Sequence, residues 1–210
     1  MELTKRVLLV HGIRAKDKGT KSIGKLKKIL LNFSPTLFKS IKLASYGYVL
    51  IPITNKKAVT SIIDILKKYT SKSDYIIIVA YSNGCWASVQ AAEMGYKIDH
   101  LILISPALHR QHEFPSHIKK IHVYYSSGDD IVEFGRAYRF FVNILPWNWK
   151  VFGGKPHEWG AMGKYGYKGT DKRVINYNMG NEVGHFWYRD NLLIKSIALN
   201  IISSTKGNKK

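Results

Sequence analysis

Residues 74–85 read Asp-Tyr-Ile-Ile-Ile-Val-Ala-Tyr-Ser-Asn-Gly-Cys. An apolar run of strand length ends in a serine, and a segment with helical character follows at once. The run does not alternate polar with apolar, so it fits a strand covered on both faces, as at the centre of a parallel sheet. Ser82 then lies on a sharp strand-to-helix turn, which lifts its hydroxyl above the sheet. So tight a turn leaves room only for small neighbours. Gly84 fills one such position, and Ala80 stands where the usual pattern has a second glycine. A serine here could also simply cap the helix, since its oxygen can accept a first-turn N–H. The motif therefore needs support from the rest of the chain.

Outward from this stretch, short apolar runs alternate with amphipathic segments. Residues 5–10, 48–53, 74–80, 100–104 and 121–125 predict strands. Residues 22–31, 58–69, 84–94 and 191–202 predict helices, with Ile23, Leu26 and Leu30 on one face of the first. In the second, Val59, Ile62, Ile63 and Leu66 recur at helical spacing. This order predicts an α/β fold: one doubly wound, mostly parallel sheet with helices on both faces. Residues 134–178 are rich in Trp, Tyr and Gly and have little period. They predict an irregular excursion over the sheet, before the last helix, that covers part of the site. The polar, basic residues 203–210 read as a frayed tail, and residues 1–210 as a single domain.

Composition restricts function less than pattern does. Against 33 Lys and Arg stand 14 Asp and Glu, a formal charge of +19. The basic residues are spread along the chain, which fits a solvated surface and also attraction to an anionic partner such as nucleic acid or a membrane surface. The one cysteine, Cys85, excludes an intrachain disulfide and fits a reducing compartment, so a cytoplasmic location is expected. The apolar stretches are of strand length, so no membrane-spanning helix is expected. Nothing resembles a phosphate-cradling loop or dinucleotide fingerprint, and no cofactor is expected. His109, His112, His117 and His122 fit no zinc spacing, and no metal is expected.

Two further features bear on Ser82. His11-Gly12 ends the first predicted strand, and Gly184-His185 lies in a loop before the last helix. Between serine and histidine, Asp129 or Asp130 follows the strand at 121–125. Serine, acid, histidine in that chain order is one of the known orders of a nucleophilic triad. A serine hydroxyl is a poor nucleophile near neutral pH. A neutral imidazole must take its proton, and a carboxylate must hold the imidazole in the right tautomer.

These motifs resemble the α/β-hydrolase superfamily over nearly the whole chain. Those that carry the likeness are His11-Gly12-Ile13-Arg14, Tyr81-Ser82-Asn83-Gly84-Cys85, Ser105-Pro106-Ala107-Leu108, residues 156–163 (Pro-His-Glu-Trp-Gly-Ala-Met-Gly), Tyr165-Gly166-Tyr167-Lys168-Gly169 and Gly184-His185. More narrowly the chain is similar to small hydrolase-like proteins of phages and bacteria, a group that supplies no substrate to carry over. The resemblance implies Ser82 as nucleophile, His185 as base and Asp129 as acid, since the pattern Tyr-Ser-x-x-Asp falls on Tyr125, Ser126 and Asp129; Asp130 is the alternative. It also implies an oxyanion hole from the backbone N–H groups of Ile13 and Asn83, with His11 and Arg14 beside it. Arg14 could hold an anionic substrate group or be a surface arginine. His157 could contact substrate or be structural, and Trp147, Trp149, Trp159 and Trp187 could line a pocket or pack the excursion. The implied activity is that of a serine esterase on a small or lipid-like ester or thioester. Acyl transfer to an acceptor other than water, or a non-catalytic protein that binds an anionic partner, are the other readings. The oligomeric state is left open.

Overall fold

The computed structural model describes residues 4–12, 17–44, 46, 55–71, 73–131 and 161–206. Within these, the chain runs β1 (Lys5–Val10), α1 (Lys25–Phe33), β2 (Ser40–Ala44), α2 (Asn55–Tyr69), β3 (Tyr75–Tyr81), α3 (Asn83–Glu93), β4 (His100–Ile104) and β5 (Lys120–Tyr125). After the short helix α4 (Met162–Tyr165) come β6 (Val174–Asn178), a 3-10 turn (Trp187–Arg189) and the last helix α5 (Asn191–Lys206). The strands form one sheet in the order β2-β1-β3-β4-β5-β6, and every neighbouring pair is parallel. β3 therefore lies inside the sheet, with its C-terminal end beside those of β1 and β4; Val10 pairs with Ala80, and Ile104 with Tyr81.

Successive side chains of a strand point to opposite faces, so each inner strand feeds two cores. Ile76, Ile78 and Ala80 of β3 join Leu8, Leu101 and Leu103 under α2 and α3. Tyr75, Ile77, Val79 and Tyr81 join Leu9, Ile102 and Ile104 under α1 and α5. This two-sided demand explains why the inner strands are apolar throughout. In α3, only Gln90 and Glu93 escape burial. In α2, Ala58, Val59, Ile62, Ile63 and Leu66 make a single apolar stripe, and Lys67 and Lys68 sit in the last turn, where the helix dipole favours cations.

The sheet differs from the sequence expectation at its edges. The predicted strand at 48–53 lies outside the described residues, and β2 forms earlier, at Ser40–Ala44. Of the predicted excursion, residues 134–160 also lie outside them, while the remainder is partly regular: it supplies α4 and the parallel edge strand β6. The last helix extends to Lys206, into the segment read as a frayed tail. Its turns are held by the buried residues Ile201, Ile202 and Thr205, so packing overrides the polar end of the sequence. No helix among the described residues is long and apolar enough to cross a membrane.

A buried histidine pair stands apart from this apolar packing. His100 of β4 and His122 of β5 meet edge to face with ring centroids 4.7 Å apart, and His122 also meets the ring of Tyr177. None of their four ring nitrogens makes a hydrogen bond among the described residues. Burial lowers the pKa of His100 to about 3, with His122 and Lys120 adding to the effect. Burial, with Lys120, lowers that of His122 to about 4. Both rings are thus neutral in the native protein under conditions where an unfolded chain begins to protonate. The stability they leave intact is fully present above the ordinary histidine pKa of 6.5 and is lost as the pH falls from there towards 4 and 3. Melting temperatures measured between neutral and acid pH should fall over this window. In His122→Phe the fall should be shallower; an unchanged slope would show that the pair does not carry the acid sensitivity.

Candidate active site

The serine turn is built by close contacts between β1, β3 and α3. Ser82 has φ 55° and ψ −125°, a region that residues with a Cβ seldom enter. Its backbone is tied on both sides: its N–H donates to the carbonyl of Ile104 at 3.0 Å, and its carbonyl accepts from the N–H of Cys85 at 3.0 Å. A Cβ on Gly12 would lie 2.9 Å from Cβ and 3.3 Å from Oγ of Ser82. A Cβ on Gly84 would lie 2.4 Å from the carbonyl oxygen of His11. Both glycines are therefore required by space. Ala80, whose methyl points into the core under α2 and α3, meets no such limit, which explains why alanine is tolerated there.

The hydroxyl of Ser82 meets a histidine across the sheet end. His185 Nε2 lies 3.0 Å from Ser82 Oγ. Its Nδ1 lies 3.0 and 2.9 Å from the two carboxylate oxygens of Asp129. An ionised carboxylate only accepts, so Nδ1–H donates to it, and Nε2 is left as the acceptor for the serine hydroxyl. Asp129 is fully buried, and Ser82 and His185 are 7% and 8% exposed, so the line of three reaches solvent at its serine and histidine and is closed at its acid. Asp130 points elsewhere: its side chain is 83% exposed and pairs with Lys164 at 2.9 Å. Of the two adjacent aspartates, the turn brings Asp129 alone to the imidazole.

Two residues that the sequence did not single out hold this line in place. Tyr81 precedes the serine, and its hydroxyl donates to the carbonyl of His185 at 2.9 Å. Its ring also packs on the imidazole, with centroids 5.1 Å apart, and against Trp187 and Tyr188. Burial raises the Tyr81 pKa well above the ordinary value, so the donor stays protonated. Ser126 Oγ donates towards the carbonyl of Gly180 at 2.6 Å, with that of Val183 also in reach, and accepts from Gly128 N–H at 3.1 Å. It locks the acid turn to the loop that carries the base. The signal for Tyr81 was its place beside the nucleophile; that for Ser126 was present only as part of the Tyr-Ser-x-x-Asp pattern.

The remaining expected site residues divide. Ile13, Arg14, His157, Trp147, Trp149 and Trp159 lie outside the described residues. Asn83 is buried and opens α3, where a first-turn N–H has no acceptor within its own helix. His11 is wholly buried, stacks on Tyr46 at 4.0 Å and donates from Nδ1 to the carbonyl of Gly12 at 2.7 Å. It packs the turn from below. Trp187 belongs to the core under α1 and α5 and so packs rather than lines a pocket. Cys85 is also buried; its thiol faces the carbonyl of Ile104 at 3.7 Å, and burial pushes its pKa up. Beside the site, Gly163 and Met162 donate to the carbonyls of Pro106 and Leu108, both at 3.0 Å, which ties α4 to the loop after β4. Among the described residues no group of three or more His, Cys, Asp or Glu could hold a metal ion.

No protein-family model and no curated protein sequence matches the chain. Solved structures do. An arylesterase superposes with TM-score 0.59 at 10% identity, over 98% of this chain and 75% of that one. A structure of the metagenome-derived lipolytic enzymes LipS and LipT gives 0.56 at 11%, over 97% and 94%. An α/β serine hydrolase from Xanthomonas campestris, described as lacking a lid, gives 0.53 at 13%, over 97% and 84%. The chain has the α/β-hydrolase fold. At such identities the likeness speaks for the α/β-hydrolase scaffold, and the chemistry must be argued from the site itself.

Two substitutions test how the turn is held. Tyr81→Phe leaves the carbonyl of His185 without its donor and should cost about 1–3 kcal/mol, read by urea denaturation. Gly12→Ala forces a methyl against Ser82 and should cost a similar amount, about 1–3 kcal/mol, as overpacking does. A neutral outcome for both would mean that the contacts around the turn relax freely.

Proposed function

We propose that the protein is a serine hydrolase that cleaves ester bonds, with Ser82 as nucleophile, His185 as general base and acid, and Asp129 as the acid of the triad. The observation that carries this reading is the continuous line from Ser82 Oγ through both nitrogens of His185 to the buried Asp129. Its place at the C-terminal end of an inner strand, where open α/β sheets bind their ligands, supports it. So do the structural neighbours, which include an arylesterase and lipolytic enzymes.

In the proposed reaction Ser82 Oγ attacks the ester carbonyl carbon while His185 Nε2 takes the hydroxyl proton. The carbonyl π electrons move to oxygen, and the resulting oxyanion is met by the N–H of Asn83 and, as the family resemblance implies, that of Ile13. Collapse of the tetrahedral intermediate breaks the bond to the alcohol, which leaves with the proton from His185. A water then attacks the acyl carbon while His185 Nε2 takes its proton; collapse breaks the bond to Ser82 Oγ, which recovers the proton from His185, and the acid is released. Asp129 stabilises the imidazolium in both halves. The substrate is a small or lipid-like ester or thioester. The whole chain acts as one domain, which the single continuous sheet supports.

The test uses a short p-nitrophenyl ester and a fluorophosphonate probe. Ser82→Ala and His185→Ala should each remove most of the activity, and the double variant should be little worse than either, since nucleophile and base act as one unit. Asp129→Asn should lower kcat by about 10⁴ if the tautomer argument holds here as in serine proteases, whereas Asp130→Asn should be mild. The probe should add its mass to the peptide containing Ser82 and to none in Ser82→Ala. Full activity in Ser82→Ala on a turned-over ester would rule out serine nucleophilic catalysis. A severe Asp130→Asn with a mild Asp129→Asn would move the acid by one residue.

A further inference from the structure

Away from the serine line, β2 and α2 enclose an open groove of about 780 Å³. One wall carries Lys42 of β2; the other carries Lys56, Lys57 and Lys68 of α2. All four are exposed, and none pairs with a carboxylate among the described residues, although Lys97, Lys119 and Lys164 elsewhere do. Asp64 is the one acid among the described lining residues. Tyr69 gathers the charge at one end: the Nζ of Lys42 lies 4.4 Å, and that of Lys68 5.4 Å, from its ring centroid. Four lysines thus share a concavity with one carboxylate, a like-charge excess that is unfavourable alone and is relieved by an anion.

The spread of the charges indicates which anion. From Lys56 to Lys68 the helix rises about 18 Å, at about 1.5 Å per residue. A small anion meets one or two of these lysines, whereas an extended polyanion meets all of them and releases its condensed counterions on doing so. The lysines flank an open groove, along whose length a flexible chain can lie. Between the charged ends the wall offers the hydroxyl of Thr60 to hydrogen-bond a phosphate oxygen, and Leu43 and Ile65 give apolar contact. Tyr46 lines one end and stacks on His11, which places that end on the serine side of the sheet. We propose that the groove between β2 and α2 binds the phosphate backbone of single-stranded nucleic acid.

The experiment must separate this groove from the general positive charge of the chain. The full-length protein is titrated into a fluorescein-labelled oligothymidylate of about 12 nucleotides, within the site sizes of non-specific single-strand binders. Anisotropy is read at about 50 and about 200 mM salt. Lys42→Glu, Lys57→Glu and Lys68→Glu are combined in one variant. Lys27→Glu, Lys28→Glu and Lys172→Glu, exposed lysines outside the groove, make a control of identical net charge. The groove variant should bind at least about tenfold more weakly, and its salt dependence should fall by about two in the slope of log affinity against log salt, as expected for the loss of about three phosphate contacts. The control should change by less than about threefold. Should the glutamates prevent folding, judged by circular dichroism, the corresponding Gln triple carries the same comparison. Equal losses in groove and control variants, no binding by the unaltered protein, or tighter groove-dependent binding to phosphatidylserine vesicles than to the oligonucleotide would each overturn the proposal.

Discussion

Between the end of β1 and the start of α3 there is no space for a side chain on either Gly12 or Gly84, and the site depends on that fact. The parallel pairing of β1 with β3 brings Gly12 against the side chain of Ser82 and the carbonyl of His11 against Gly84. Any bulk in this gap would push the serine turn off the sheet end. Ser82 could then relax from its unfavourable φ, and its hydroxyl would no longer face His185. The strain at one residue is held by packing from three elements, as is usual where an uncommon backbone conformation persists.

The base depends on a different device. His185 belongs to a loop, and a loop alone does not fix an imidazole to within hydrogen-bond tolerance. Here the loop is gripped from two strands at once. Tyr81 at the end of β3 holds the carbonyl of His185 itself, and Ser126 just beyond β5 holds the loop at Gly180 and Val183. The fit at this junction is close: a Cβ on Gly128 would lie 2.0 Å from the carbonyl oxygen of Asn181. The acid, the base and the serine are thus referenced to strand ends on the C-terminal edge of a single sheet.

The legible parts of the sequence are those where burial is two-sided. β3, β4 and β5 are nearly continuous apolar runs, and the alternation of strand with helix implies the parallel sheet. The edges were hard to read for a physical reason. β2 (Ser-Ile-Lys-Leu-Ala) and β6 (Val-Ile-Asn-Tyr-Asn) are covered less completely, so polar residues are tolerated in them and their pattern fades into that of loops. Ser82 and His185 stood out through turn chemistry and chain order. Adjacent aspartates present the same chemistry in sequence, and only the turn that buries Asp129 and leaves Asp130 beside Lys164 separates them. Tyr81 was hidden because a tyrosine that ends a buried strand reads as core, and its hydrogen bond spans 104 residues.

The burial of Cys85 has a practical consequence. Its thiol is sealed beneath the first turn of α3, and its raised pKa leaves little of the thiolate through which alkylating reagents act. It is also the single cysteine of the chain. The protein therefore comes ready for site-specific spectroscopy. A cysteine introduced at any exposed position is the one thiol that a maleimide dye or nitroxide will find, and the native residue can stay in place, three positions from the serine, undisturbed.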